Sequence, residues 1–192
     1  FAEIRSFEKT LAWLHAHEPA CARFVEEHRD RIQDFAAIRH YAHGAQRVFS
    51  ADRWALTGEA GVFVDPFLSP GTDFIAMANT MIVEMIRRDF AGEPIEEYIE
   101  FMNGLFLNLF NLVLGWFRHL YGVFHKDQAM MLWIGWYFLL YISFPVTLNR
   151  YRHIADLEFM KSIGPRLQRF GALSLAGIKL LTDFAARYER VP

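Results

Sequence analysis

The sequence predicts an α+β fold that is mostly α-helical. Apolar residues recur at helical spacing along most of the 192-residue chain, whereas the runs that suit strands are short and lie between residue 39 and a glycine-rich loop that starts at Gly58. Hydrophobic residues make up 53% of the chain and aromatic residues 16%, including 19 phenylalanines, which is rich for a soluble protein of this size. Such a chain buries more apolar surface than usual or keeps an apolar face exposed.

The first region, residues 1–38, is predicted to form two helices. Phe7, Leu11 and Leu14 fall on one face of the first helix. The division is expected at Glu18–Pro19, because proline restricts the residue before it and can occupy the first turn of a new helix.

The middle region, residues 39–92, is predicted to run from short strands through the glycine-rich loop into a helix. Trp54–Leu56 is predicted to be a short buried strand. In the helix after the loop, Met77, Met81 and Met85 share one face, and we expect them to fill the core.

The loop from Gly58 to Gly71 has the residues of a ligand contact at a helix start. Ser69 can cap the following helix, and Pro70 suits its first turn, where a missing N–H costs nothing. Gly71 has no side chain, so a ligand can approach the backbone closely. Such a helix start offers free N–H groups and the positive end of the helix dipole to an electron-rich ligand, for example a phosphate or a reduced flavin ring.

The segment Arg53–Gly71 resembles the second flavin-binding motif of FAD-dependent oxidoreductases of the tryptophan-halogenase-like group. The match consists of Arg53–Gly61 followed by Phe63, Asp65, Pro66, Ser69 and Gly71. The lead-in Tyr41–Phe49 and the stretch Asp156–Met160 also look like that group. The resemblance implies an FAD cofactor held by Gly58, Glu59, Ala60, Asp65, Pro66, Ser69, Pro70 and Gly71.

In that group the acidic residue after the first glycine accepts a hydrogen bond from the ribityl or phosphate-linked part of FAD. By resemblance this role falls on Glu59. Aspartate is usual at this position, so the longer side chain of Glu59 shifts the expected contact. Residues 66–71 would lie against the flavin ring. A glycine-rich strand-to-helix turn with a surface glutamate and no ligand stays open as the alternative.

The pyrophosphate-binding fingerprint G-x-G-x-x-G, which such flavoproteins carry between a strand and a helix, has no counterpart in this sequence. The chain also opens at Phe1 rather than at a methionine. We therefore expect the C-terminal portion of a longer FAD-dependent oxidoreductase, halogenase-like or monooxygenase-like, that acts on an apolar or aromatic small molecule. The isolated chain is expected to be inactive, and a flavin reductase or NAD(P)H is the candidate partner.

In this interpretation each region has a role of its own. Residues 1–38 would be the helical tail of a substrate-domain insertion, residues 39–92 part of the FAD-binding module, and residues 93–192 a helical C-terminal domain. In the last helix seven residues keep a narrow stripe at helical spacing: Leu167, Phe170, Ser174, Gly177, Leu181, Phe184 and Tyr188.

Two positions argue against halogenation of tryptophan. Leu68 stands where the tryptophan-specific relatives carry a glutamate, and leucine cannot handle protons or charge. Pro70 lacks the N–H that a backbone halide site could use. Halogenation of another substrate stays open.

A membrane hairpin is the main alternative for the third region. Phe101–Phe117 and Gln128–Asn149 carry no charge and approach the ~20 residues of a membrane span. Pro145 falls inside the second segment. Three asparagines, Asn103, Asn108 and Asn111, interrupt the first segment on one side of a helix, which favours a cavity or a polar contact over lipid. We therefore expect a protein core or cavity wall here, with a ligandless helical interaction module as a further alternative.

Charge and cysteine content exclude other classes. A net charge of −2 and a pI near 6.5 supply no basic field, so nucleic acid is not expected as a partner. The single cysteine, Cys21, cannot form an internal disulfide and suits a reducing compartment, so a cytoplasmic location is expected. No histidines share the spacing of metal ligands.

Overall fold

A computed structural model describes residues 4–38 and 41–187, and the chain divides into two compact units, Phe1–Tyr41 and Ala42–Pro192. Helices hold 71% of the residues, and the described residues form only two short strands. The predicted mostly helical α+β class is confirmed at this level. The flavoprotein fold and the roles assigned to the three regions stay predictions.

The first unit contains two consecutive helices, α1 (Phe7–His17) and α2 (Pro19–Glu27). Ser6 caps α1, since its Oγ accepts a hydrogen bond from the backbone N–H of Lys9 at 3.4 Å. Pro19 takes the first position of α2. The predicted division at Glu18–Pro19 is therefore confirmed.

The second unit begins with a two-stranded hairpin and continues as helices. Its strands and α-helices are β1 (Phe49–Ser50), β2 (Trp54–Ala55), α3 (Pro70–Phe90), α4 (Glu96–Leu120), α5 (Asp127–Tyr141), α6 (Thr147–Arg150), α7 (Leu157–Ser162) and α8 (Gly164–Arg187). A 3-10 turn occupies Gly58–Ala60. A π-helical turn, Ile142–Val146, joins α5 to α6.

The hairpin buries one of its strands and exposes the other. β1 and β2 pair in antiparallel register, with Phe49 opposite Ala55. Phe49 is fully buried, whereas Trp54 is 44% exposed. The prediction for Trp54–Leu56 was thus right about the strand and wrong about its burial, because β1 packs against α4 while β2 pairs only with β1 among the described strands.

Helices α3 and α4 form the centre of the core. The inward face of α3 carries Phe74, Met77, Ala78, Met81 and Met85, so the predicted core role of the three methionines is confirmed. On α4, the ring of Phe106 meets Phe74 edge-on with centroids 5.5 Å apart and meets Phe49 of β1 at 5.6 Å. Edge-to-face pairs of this kind stabilise a core beyond the area they bury.

Pro145 accounts for the π-helical turn. Proline has no N–H for the preceding turn and its ring crowds that turn, so the helix widens locally. Two hydroxyl groups bond carbonyl groups there: Ser143 donates to Leu139 at 2.5 Å, and Thr147 donates to Ile142 at 2.8 Å.

Two helical stretches, Glu96–Leu120 and Asp127–Arg150, are long and apolar enough to cross a membrane, by length and composition alone. In the most apolar 18 residues of each, 39% and 28% of the residues are buried. One side of each helix therefore belongs to the core. The other side of α5 exposes apolar side chains.

Candidate functional site

The first glycine of the loop is explained by packing against α3. Gly58 has a φ of +57°, and a Cβ there would lie 2.7 Å from Cγ1 of Ile75, so only glycine fits without strain. Thr57 fixes the same turn by donating from Oγ1 to Oδ1 of Asn79 at 2.9 Å. Contact between Gly58 and a cofactor stays a prediction.

Glu59 and Ala60 lie at the surface of this turn. The carboxylate of Glu59 has no hydrogen bond or ion pair with any residue that the structure describes. Its backbone carbonyl accepts a hydrogen bond from Nε2 of His43 at 2.9 Å. The turn is therefore held through its backbone, and the carboxylate of Glu59 is available to a ligand.

Asp65 holds the middle of the loop in place. Its Oδ1 accepts a hydrogen bond from the backbone N–H of Phe67 at 2.7 Å, and its Oδ2 accepts one from the hydroxyl of Tyr121. Burial, and after it this hydrogen bond, raise the pKa of Tyr121 to about 12. Because both oxygens of Asp65 have partners, a contact with a cofactor would share or replace one of these bonds. Pro66 beside it is exposed.

The chain enters α3 through two left-handed residues, Leu68 with φ 60° and Ser69 with φ 55°. This conformation costs a non-glycine residue about 1–2 kcal/mol. Ser69 occupies the N-cap position, but its side chain makes no capping hydrogen bond. The prediction that Ser69 caps α3 is therefore wrong, because side-chain capping needs an extended backbone at this position. Instead, its carbonyl accepts a hydrogen bond from Oγ1 of Thr72 at 2.8 Å.

Pro70 and Gly71 form an open helix start. Pro70 takes the first position of α3, as predicted, and is buried. A Cβ on Gly71 would meet no atom within 4 Å. No described residue accepts a hydrogen bond from the backbone N–H of Gly71. The approach to the backbone that the sequence predicted is therefore sterically open at Gly71.

The two ends of the loop lie along the same helix. Gly58 packs against Ile75, four residues after Gly71. At ~1.5 Å per residue, the two contacts are about 6 Å apart along the axis of α3. The exposed carboxylate of Glu59 and the open backbone at Gly71 are the parts of the loop that one extended ligand along α3 would meet.

A cavity of about 360 Å³ with both polar and apolar walls also adjoins α3, and the sequence did not predict it. Its walls are Asp73, Met77, Tyr141, Pro145, Val146, Asn149 and Arg150. Oδ1 of Asp73 accepts a hydrogen bond from the hydroxyl of Tyr141 at 2.6 Å. Burial raises the pKa of Asp73 above its ordinary value, and the bond from Tyr141 offsets part of that rise. A carboxyl group with a shifted pKa in a cleft is a candidate functional group.

Sequence reasoning missed Asp73 for two reasons. An acidic residue in the first turn of a helix is common because it complements the helix dipole, and Tyr141 stands 68 positions away. The feature of the sequence that could have identified Asp73 is its position two residues after Gly71. Within residues 4–38 and 41–187, no three His, Cys, Asp or Glu side chains are grouped so as to hold a metal ion.

Comparison with known proteins gives one partial similarity. No protein-family model matches the chain, and no solved structure matches it. A flavin-dependent halogenase of Dictyostelium discoideum, chlA, is 27% identical over 86 residues. The match covers 45% of this chain and 14% of the halogenase, so the chain corresponds to a small part of that protein. The similarity suggests a flavin-dependent enzyme.

Proposed function

We propose that this chain is part of a flavin-dependent oxidoreductase, halogenase-like or monooxygenase-like, and that the loop Gly58–Gly71 contacts FAD. The observation that carries the proposal is the pair of open groups along α3, the unpartnered carboxylate of Glu59 and the bare backbone at Gly71. They occur in a segment that resembles a flavin-binding motif. The partial similarity to a flavin-dependent halogenase supports the same assignment.

The loop residues fit an FAD. The Glu59 carboxylate can accept a hydrogen bond from a ribityl hydroxyl group, and the N–H of Gly71 can donate to an acceptor on the ring. The start of α3 favours negative charge through the helix dipole. When bound, the flavin would supply the redox chemistry, while these residues orient it. Asp65 and its bond to Tyr121 would act by holding the loop in position.

The proposed substrate is an apolar or aromatic small molecule other than tryptophan. Leu68 is half-buried and left-handed, and its side chain cannot transfer a proton. Pro70 has no N–H for a halide. Electrons would come from NAD(P)H or a flavin reductase, and the proposed location is the cytoplasm.

The experiment is a measurement of flavin retention by the complete gene product. Its flavin content per chain after gel filtration should fall in Glu59→Ala and fall further in Gly71→Val. Gly71→Val should fold, because the added side chain has open space, yet it would occupy the position of the flavin. The matched control is Gly104→Val, a change at an exposed position of α4 that also faces open space.

The 192-residue chain alone should bind FAD only weakly. Each charge-assisted hydrogen bond contributes roughly 1.5–3 kcal/mol, whereas micromolar affinity needs about 8 kcal/mol. Tight FAD binding by this chain alone, or full retention in Gly71→Val, would show that the site is elsewhere.

A further inference from the structure

A second cavity, of about 300 Å³, adjoins the π-helical turn Ile142–Val146. Its walls come from α4, the turn, α6, Ile154, α7 and the first half of α8, and they include Leu109, Phe144, Phe170 and Gly171. Apolar side chains dominate the lining, and no charged side chain of the described residues takes part in it.

This space is built into the helices. Gly171 contributes no side chain, and a Cβ there would meet no atom within 4 Å. The rings of Phe144 and Phe170 stack with centroids 4.5 Å apart and planes 22° apart. This stack joins the turn to α8 beside the cavity. The glycine therefore leaves room that a larger residue would fill, and the aromatic pair fixes the wall around it.

Size and polarity define the ligand. A volume near 300 Å³ is at the small end of ligand pockets and holds on the order of ten to fifteen non-hydrogen atoms, given ~30 Å³ per water molecule in the liquid. An α-helix, with its diameter of about 10 Å, is too large. The polar lining groups are the side-chain amides of Asn108 and Gln168, both exposed, and each can donate and accept.

We propose that this cavity binds an uncharged aromatic small molecule that carries one hydrogen-bonding group. The absence of charged wall residues disfavours an ionised ligand, because its charge would lose hydration without gaining a partner. The two aromatic rings in the wall, Phe144 and Phe170, favour contact with an aromatic ring. The amides of Asn108 or Gln168 would meet its polar group.

A small cavity lies between the apolar cavity and the loop Gly58–Gly71. It has a volume of about 20 Å³ and is lined by Pro70 of the loop and by Leu109 and Pro145, and the last two also line the apolar cavity. The inference that the apolar cavity is the substrate site rests on the proposed function. The inference that the cavity binds an aromatic molecule does not, since this binding can be measured with no flavin present.

The test measures the binding of a probe, 2-naphthol, to the 192-residue chain by isothermal titration calorimetry. Naphthalene-2-sulfonate, which has the same ring system and a permanent charge, is the probe control. Gly171→Leu should fill the cavity and weaken 2-naphthol binding at least tenfold. Gly135→Leu is the matched variant, because Gly135 is an exposed helical glycine that also faces open space and does not line the cavity.

The expected pattern is binding of 2-naphthol by the wild type and by Gly135→Leu, with weak binding by Gly171→Leu. The thermal midpoint of Gly171→Leu should not fall, because the side chain enters empty space and replaces a helical glycine. Absence of 2-naphthol binding at millimolar concentration, equal affinity in Gly171→Leu, or equally tight binding of the sulfonate would overturn the proposal. Full FAD retention in the Gly71→Val variant of the complete gene product would overturn only the flavin assignment.

Discussion

Asp73 is partly buried, and burial disfavours the charged form of its carboxyl group. Burial raises its pKa above the ordinary value of 3.8, so the folded protein holds this proton more tightly than the unfolded chain does. By linkage, the contribution of Asp73 to stability is most favourable below pH 3.8 and declines as the pH rises through the folded-state pKa.

We expect Asp73→Asn to increase the free energy of unfolding at neutral pH. Asparagine keeps an acceptor for the hydroxyl of Tyr141 and has no charge to bury. The gain should shrink as the pH is lowered through the folded-state pKa and should be smallest below the ordinary value of 3.8, where the wild-type carboxyl is neutral in both states. Urea unfolding across this pH range measures both effects.

Asp183→Asn is a control for which the expected change in stability at neutral pH has the opposite sign. Asp183 is exposed, and the bond from Lys179 lowers its pKa, so its small contribution is present at neutral pH and is lost on acidification. If Asp73→Asn proved less stable than the wild type at neutral pH, the Asp73 carboxylate would have a compensating partner, and the interpretation of its burial would be wrong.

Asn103 shows what a residue pattern can predict about a contact and what it cannot. Its buried side chain accepts hydrogen bonds from the backbone N–H groups of Val48 and Phe49 at 2.9 and 3.0 Å and donates one to the carbonyl of Phe49 at 2.7 Å. The sequence predicted a cavity or a polar contact on this side of α4, and Asn103 makes a polar contact. Asn108 and Asn111 are exposed. Helical spacing defined the side but could not show which asparagine meets a strand more than 50 positions away.

Among the elements, α8 meets α5 at a glycine. A Cβ on Gly177 would lie 2.3 Å from the indole ring of Trp136, so the two helices approach more closely than any other residue would allow. Gly171 lies on the same helix and faces open space. The two glycines therefore have opposite reasons for lacking a side chain.

We expect Gly177→Ala and Gly171→Ala to change stability in opposite directions. Alanine favours a helix over glycine by about 1 kcal/mol, and Gly171→Ala should gain up to that amount. At Gly177 the same methyl group must push α8 away from Trp136, and overpacking costs roughly 1–3 kcal/mol, so a net loss is expected. Chemical denaturation compares the two variants. Equal stabilities would mean that α5 and α8 do not pack tightly at Gly177.

Local sequence signals predicted where helices begin better than they predicted which side chains are buried. The start of α2 at Pro19 and of α3 at Pro70 follows from proline chemistry alone. On the α8 stripe, Ser174 is fully buried and accepts a hydrogen bond from Nε1 of Trp116. Phe184, placed on the same stripe, is 38% exposed, and Tyr188 lies outside the described residues. Burial depends on which elements become neighbours, and spacing along one helix carries no information about that.

At the scale of the whole molecule, α5 buries one side and exposes the other. Trp133 and Tyr137 are buried and stack 5.5 Å apart, whereas Met131 is 68% and Leu139 59% exposed. Exposed apolar surface of this kind marks a contact with a protein or a membrane. The buried bonds of Asn103 tie α4 to β1. Removing α4 and α5 into a bilayer would break them, at about 1–3 kcal/mol for each polar group left without a partner.

We therefore expect the chain to leave the membrane fraction of expressing cells on a high-salt or carbonate wash. Leu139→Glu should keep the fold, because the side chain is 59% exposed, and gel filtration should show no species larger than those of the wild type, because a charge replaces exposed apolar surface. Leu140→Glu, at a position only 2% exposed, should unfold the protein by burying an unpaired charge. In a membrane hairpin the wild type would instead resist the carbonate wash, and Leu139→Glu would release it, since a charge at the middle of a bilayer costs roughly 2.5–3.5 kcal/mol or more. That pair of results would replace the core interpretation of α4 and α5 with the membrane one.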